Sequence, residues 1–156
     1  MGAGGEVVLA FDYGSRRIGV AVGQTLTETA SPAGTVAARQ SGPDWQALTE
    51  RIHRWAPVRL VVGLPYNMDG TETTLTPVCR AFGEELTRRF GLRVEFVDER
   101  LTSVAANDEL REARRTGTRT RRIQREDIDA NAARLILETW LRGRHDRSPD
   151  ADDRRT

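Results

Sequence analysis

Apolar and polar positions along the chain follow two periods in turn. VVLAFD, from Val7 to Asp12, is an unbroken apolar run that reads as a buried strand, and RIGVAVG follows the Gly14-Ser15 turn at hairpin distance. AGTVAAR reads as a third strand, so the chain opens antiparallel. After SGPD the period becomes helical, with Trp45, Leu48, Ile52 and Trp55 on one side and a stop before Pro57. VRLVVGLP is a short β-branched run ended by Pro65. The loop YNMDGTET leads into TPVCRAFGEELTRRFG, a second helix with Thr76 as N-cap, Pro77 at its first position and Gly91 as its stop. LRVEFVDE is a further strand, and helical sequence resumes around Val104. The last helix is predicted from about Ile128 to Leu141, with Ala132, Ala133, Ile136, Leu137 and Trp140 on one side. Three opening strands followed by a βαβα order predict an α/β fold, a mixed sheet of three antiparallel opening strands and then parallel strands, flanked by helices. Residues 1–142 are expected to form one domain and the charged residues 143–156 a disordered tail.

Composition narrows the classes. At 156 residues, 38% hydrophobic and 30% charged, the chain suits one soluble domain, and no apolar run approaches the roughly 18 residues of a membrane span. The start MGAGGEVVLAF has no basic segment before its apolar stretch, and Glu6 stands where a myristoylation signal wants Ser or Thr, so export and lipidation are not expected. The single Cys79 excludes an internal disulfide framework, and His53 and His145 add no metal spacing, which fits a cytoplasmic location without a membrane partner. Net charge is only +1, yet all 24 basic residues are arginine. Genome bias produces the same usage, so this adds little. REARRTGTRTRRIQR, between Arg111 and Arg125, carries seven arginines against one glutamate and reads as a flexible arm that orders on a nucleic acid, without an aromatic to stack on bases.

The chemistry lies in the acids. Asp12 ends the first strand and Asp98-Glu99 ends the last one, where ligands gather in open α/β sheets. Asp129 shares a helical face with Ala133, Ile136 and Trp140, the side that packs on the sheet, and Ala130, Ala132 and Ala133 permit close approach. Each has a plainer reading: Asp12 as a turn former, one of Asp98 and Glu99 as a solvated acid, Asp129 as a first-turn charge with Asp127 as N-cap. If three such acids meet, they stay ionised only beside a cation, and Mg²⁺ suits oxygen ligands while leaving room for phosphate. One or two such ions would support phosphodiester hydrolysis, a nuclease chemistry.

With those residues in view, the sequence resembles the YqgF family of Holliday-junction-resolvase-like pre-16S rRNA nucleases. LAFDYGSRRIGVAVG, VVGLPYNMDGTET, VDERLTS and DIDANAARLILETWL match its signatures in order, across residues 7–142. The resemblance implies a ribonuclease H-like fold and a Mg²⁺- or Mn²⁺-dependent nuclease whose three acidic positions are Asp12, Glu99 and Asp129, with Asp127 two residues from the third. It also implies cytoplasmic 5′-end processing of precursor 16S rRNA. Arg16 and Arg17 beside the Asp12 turn are candidate phosphate contacts, against a solvated hairpin tip. Asn67 is a candidate for a phosphate, sugar or metal-bound water, against turn chemistry before Asp69-Gly70. Arg100 either pairs with Asp98 or neutralises developing charge. The expected partner is nucleic acid, structured RNA with branched DNA as the alternative, bound by a monomer or a homodimer. A four-way junction resolvase would need two sites presented by a dimer, and a non-cutting regulatory factor would gain nothing from clustered acids. A sugar-kinase-like phosphotransferase would need a second domain, and neither a G-x-x-x-x-G-K nor a G-x-G-x-x-G motif is present.

Overall fold

The apolar run at Val7 lies well inside the sheet. The computed structural model describes residues 5–101 and 125–144, with side chains in the last helix from Ile128 on. Its elements are β1 (Val7–Tyr13), β2 (Arg17–Gln24), β3 (Thr29–Arg39), β4 (Gly42–Pro43), α1 (Trp45–Trp55), β5 (Arg59–Leu64), α2 (Thr76–Phe90), β6 (Arg93–Asp98) and α3 (Arg125–Gly143). The six strands form one sheet in the order β4-β3-β2-β1-β5-β6. β1, β2, β3 and β4 pair antiparallel, whereas β5 lies parallel to β1 and β6 parallel to β5. The expected mixed sheet is therefore the fold.

Strand alternation divides the core in two. Leu9, Phe11, Ile18, Val20, Leu60 and Val62 face α1 and α2, where they meet Leu48, Ile52, Cys79, Phe82 and Leu86. Phe82 anchors that side, edge-on to Phe11 at 5.8 Å and tilted against Tyr13 at 4.9 Å. On the other face Val8, Ala10, Ala21, Val61 and Val97 pack under Ala133, Ile136, Leu137, Trp140 and Leu141 of α3. Each large side chain contributes about 1.5–3 kcal/mol on burial. A polar clamp fixes the far end of α3: Trp140 Nε1 donates to Glu95 Oε1 at 3.1 Å, and Arg59 holds Glu95 Oε2 at 2.6 Å.

Several boundaries depart from the sequence reading. β3 begins at Thr29 rather than Ala33, with an irregularity opposite Gly19–Ala21, and Gly42–Pro43 adds a two-residue edge strand where Pro is tolerated. α1 matches its expected span: Asp44 caps it by accepting from Ala47 N at 3.1 Å, and Ala56, at φ 46°, closes it before Pro57. Thr76 does not cap α2. Leu75 holds the cap position without a side-chain hydrogen bond, because the fully buried Thr76 hydroxyl donates to Pro65 O and its oxygen accepts from Thr73 N at 2.9 Å. Gly91, at φ 67°, closes α2 as expected. Cys79 is fully buried, because it lies on the inward side of α2 with Phe82 and Leu86. α3 starts at Arg125 rather than Ile128, so position 127 lies within the helix, and Ala132 is only half-buried. The helical segment from Val104, the arginine-rich run from Arg111, the Asp127 side chain and the tail from residue 145 lie outside the described residues.

Candidate active site

The same alternation that builds the α3 face of the core carries acids onto it. Val8, Ala10 and then Asp12 point from β1 to that side, and the next such position beyond Val97 of β6 is Glu99. Glu99 extends the ladder by donating its backbone N–H to Leu64 O at 2.9 Å. Asp98 falls on the opposite side, paired with Leu64 of β5.

Two glycines make the convergence sterically feasible. Gly19 of β2 is the cross-strand partner of Asp12, and a Cβ there would lie 2.0 Å from the Asp129 carbonyl oxygen. The start of α3 thus rests on bare backbone beside Asp12. Gly63 of β5 plays the matching part for Glu99: a Cβ there would lie 2.9 Å from Glu99 Cγ and Oε2 and 2.5 Å from Ile136 Cδ1. Neither glycine was singled out from sequence, although a glycine inside an otherwise β-branched strand is the available signal for close approach.

Electrostatics ties the acids together. Burial is the main force that raises the Glu99 carboxyl, to about 8, with the Asp12 charge and a hydrogen bond to Asp12 adding to it. The protonated Glu99 carboxyl is the donor in that bond. Asp12 is pushed up to about 6, by burial first and then by repulsion from Asp129, and the bond from Glu99 opposes this. Asp129 in turn lies 3.5 Å from the Arg17 guanidinium through Oδ2. Gly14, Ser15, Arg16, Arg17, Ile128 and Asp129 line a cleft of about 310 Å³ directly beside this cluster.

The remaining sequence candidates settle elsewhere. Arg100 grips Asp98: its backbone N–H donates to Oδ1 at 2.9 Å, Nε donates to Oδ2 at 3.0 Å and Nη2 to Oδ2 at 2.6 Å. This holds the Asp98 carboxyl below the usual carboxylate range. Arg100 also covers the Tyr66 ring at 5.6 Å. Of its two sequence readings, pairing with Asp98 is the one present. Asn67 stitches its own loop, donating from Nδ2 to Thr71 Oγ1 at 2.9 Å while its backbone carbonyl accepts from Gly70 N at 2.8 Å. Turn chemistry accounts for it.

Among the described residues, no group of three or more His, Cys, Asp or Glu side chains is placed to hold a metal ion. The donor set nevertheless suits a hard cation. Two hydrogen-bonded carboxyls raised above their normal range, with a third acid beside them, are all-oxygen ligands at which positive charge is favoured. Mg²⁺ typically uses one or two carboxylates and fills the rest of its shell with water and phosphate oxygens, so an open set is the expected form.

Comparison with known proteins identifies the family and the fold. A family model described as RuvX, Holliday junction resolvase, matches residues 6–143. A Nitrosococcus oceani protein named "Putative pre-16S rRNA nuclease" is 47% identical over 136 residues, covering 87% of this chain and 86% of its own length. An Aeromonas hydrophila protein of the same name is 46% identical, with 86% and 93% covered. Among solved structures, T. thermophilus RuvC in complex with a Holliday junction substrate aligns with a TM-score of 0.55 at 15% identity, covering 90% of this chain and 96% of that one. The fowlpox virus Holliday junction resolvase aligns at 0.51 and 10% identity, with 88% and 98% covered. These structural likenesses carry the fold, and the sequence matches carry the family. With a matching model over nearly the whole described chain and relatives close to half identical, the chain belongs to the RuvX family of Holliday junction resolvases.

Proposed function

We propose that this nuclease of the RuvX family hydrolyses phosphodiester bonds in structured RNA, at the 5′ end of precursor 16S rRNA, with Asp12, Glu99 and Asp129 holding Mg²⁺ or Mn²⁺. The observation that carries the reading is the hydrogen-bonded Asp12–Glu99 pair at the carboxyl ends of β1 and β6, with Asp129 brought beside it by Gly19. When bound, the cation polarises the phosphate and lowers the pKa of the attacking water. The chain supplies the rest. Asp12 and Glu99, once ionised, would hold the cation, with Asp129 of α3 as the third acid. The exposed Arg16, in the adjoining cleft, meets substrate phosphate. Arg100, fastened to Asp98, supports the loop at Tyr66 and stays off the reacting phosphate. Asn67 shapes that loop and touches substrate only from outside the acid cluster. The expected product carries a 5′-phosphate, and the expected setting is the cytoplasm. Among the described residues no helix is long and apolar enough to cross a membrane.

RNA as substrate draws support from the names of the half-identical relatives. The family description favours a second reading, a four-way DNA junction, which needs two sites in a homodimer where RNA processing needs only a monomer. One experiment separates them: end-labelled precursor rRNA and a four-way DNA junction, each offered to wild type and Asp12→Asn with Mg²⁺, Mn²⁺ or EDTA. RNA cleavage lost in the variant and in EDTA supports the first reading. Symmetric junction cutting supports the second, and full Asp12→Asn activity in excess chelator refutes both.

A further inference from the structure

Two arginines meet carboxylates around the strand ends, and they do so differently. Arg100 holds Asp98 through its backbone and two guanidinium nitrogens, the shortest contact being 2.6 Å. Arg17 reaches Asp129 through one Nη1–Oδ2 approach of 3.5 Å, too long for a well-formed charge-assisted hydrogen bond. Both side chains are part-exposed, at 26% for Arg17 and 33% for Asp129. A loose ion pair open to water exchanges partners readily.

The placement of Arg17 is as informative as its distance. Arg17 and Gly19 point from β2 toward the α3 face, so the strand meets Asp129 twice, under its backbone at Gly19 and beside its carboxylate at Arg17. Arg17, Arg16 and Asp129 also line the same cleft. Asp129 repels the Asp12 charge, so positive charge beside Asp129 relieves that repulsion. We propose that Arg17 is a counter-cation of Asp129 in the metal-free protein, and that it yields this carboxylate on metal binding and turns with Arg16 toward substrate phosphate in the cleft. Arg17 is thus a positioning residue that competes with the metal, whereas Arg16 is a plain phosphate contact. The inference rests on the reading of Asp12, Glu99 and Asp129 as metal ligands.

The test is Mn²⁺ binding by calorimetry to wild type, Arg17→Gln, Arg17→Lys and Asp12→Asn. Arg17→Gln is expected to bind Mn²⁺ about tenfold tighter, because the metal no longer competes with a guanidinium charge for the Asp129 carboxylate. Arg17→Lys, which keeps the charge, stays within about twofold of wild type on the same grounds. In EDTA, Arg17→Gln melts below wild type, and the difference vanishes in an Asp129→Asn background. A merely structural Arg17 would weaken Mn²⁺ binding when removed, so unchanged or weaker binding by folded Arg17→Gln overturns the proposal. Arg17→Met carries the same expectation and decides the matter if Arg17→Gln does not fold. Wild-type binding that is lost in Asp12→Asn keeps the metal-site reading standing whatever Arg17 does. Absence of Mn²⁺ binding by wild type overturns both.

Discussion

Asp98 and Glu99 are adjacent carboxylates at the end of one strand, and they lead opposite electrostatic lives. Asp98 points toward the Tyr66 loop, where Arg100 wraps it and lowers its pKa. Glu99 points under α3, into the space that Gly63 leaves, where burial and the Asp12 charge raise it to about 8. The difference is one step of strand alternation. Asp98 is gripped through the backbone and guanidinium contacts of Arg100 and is committed to structure, whereas Glu99 is left buried beside Asp12 and is the acid that the proposed cation site would use.

The sharpest way to break this comparison is to neutralise each acid in turn. Glu99→Gln is expected to lower Mg²⁺-dependent RNA cleavage by more than about a hundredfold, beyond the tenfold to hundredfold typical of groups one shell out. Asp98→Asn should stay within about tenfold, since its carboxylate is committed to Arg100. Single-turnover cleavage of end-labelled RNA measures both, and equal losses would erase the distinction.

The glycines offer a second, steric route. Gly19→Ala drives a methyl to within 2.0 Å of backbone at Asp129, which cannot move without shifting α3. Gly63→Ala meets side-chain atoms only, Ile136 Cδ1 and Glu99 Cγ and Oε2, which yield more readily than backbone. Overpacking of this kind typically costs about 1–3 kcal/mol, so Gly19→Ala belongs at the upper end and Gly63→Ala at the lower. Chemical denaturation reads the stability, and the Asp12→Asn phenotype should reappear in Gly63→Ala because Glu99 is displaced.

The ordered elements and the acids were legible in sequence because both are local. Periodicity marked β1, α1, β5 and β6, and an acid ending an apolar run marks a strand end. Which of Asp98 and Glu99 faces the site was not legible without the resemblance. Strands buried on both faces read as continuous apolar runs, and VVLAFD and RLVVGL therefore hide their own alternation. Only the packing of α3 against Val8, Ala10, Val61 and Val97 reveals it. The roles of Gly19 and Gly63 depend on helix placement, which no local window contains. Thr76 misled for a related reason: its hydroxyl answers Pro65, eleven residues back, rather than its own helix.

A smaller effect is expected in the pH dependence of stability, measured in EDTA. The folded-state pKa of Glu99 lies near 8 and its ordinary value at 4.5, so the folded protein binds this proton more tightly than the unfolded chain. Stability is then full below about 4.5 and declines as pH rises toward about 8. Glu99→Gln should flatten that decline. Melting temperatures between pH 5 and 9 test it, and a wild type that gains stability over that range contradicts the raised pKa.

Asp98 has the opposite sign and the smallest size. Its folded-state pKa is depressed, so its contribution is present above its ordinary value of 3.8 and is lost as pH falls through the folded value. The pair is part-exposed, at 27% for Asp98 and 35% for Arg100, so solvent screening keeps its contribution small despite its multidentate geometry. Asp98→Asn should therefore destabilise slightly at pH 7 and progressively less as pH falls below 3.8, whereas Glu99→Gln should matter most at high pH and with the opposite sign. Opposite slopes from neighbouring carboxylates would show that the face each side chain takes, and not its place in the sequence, decides which acid the chemistry can use.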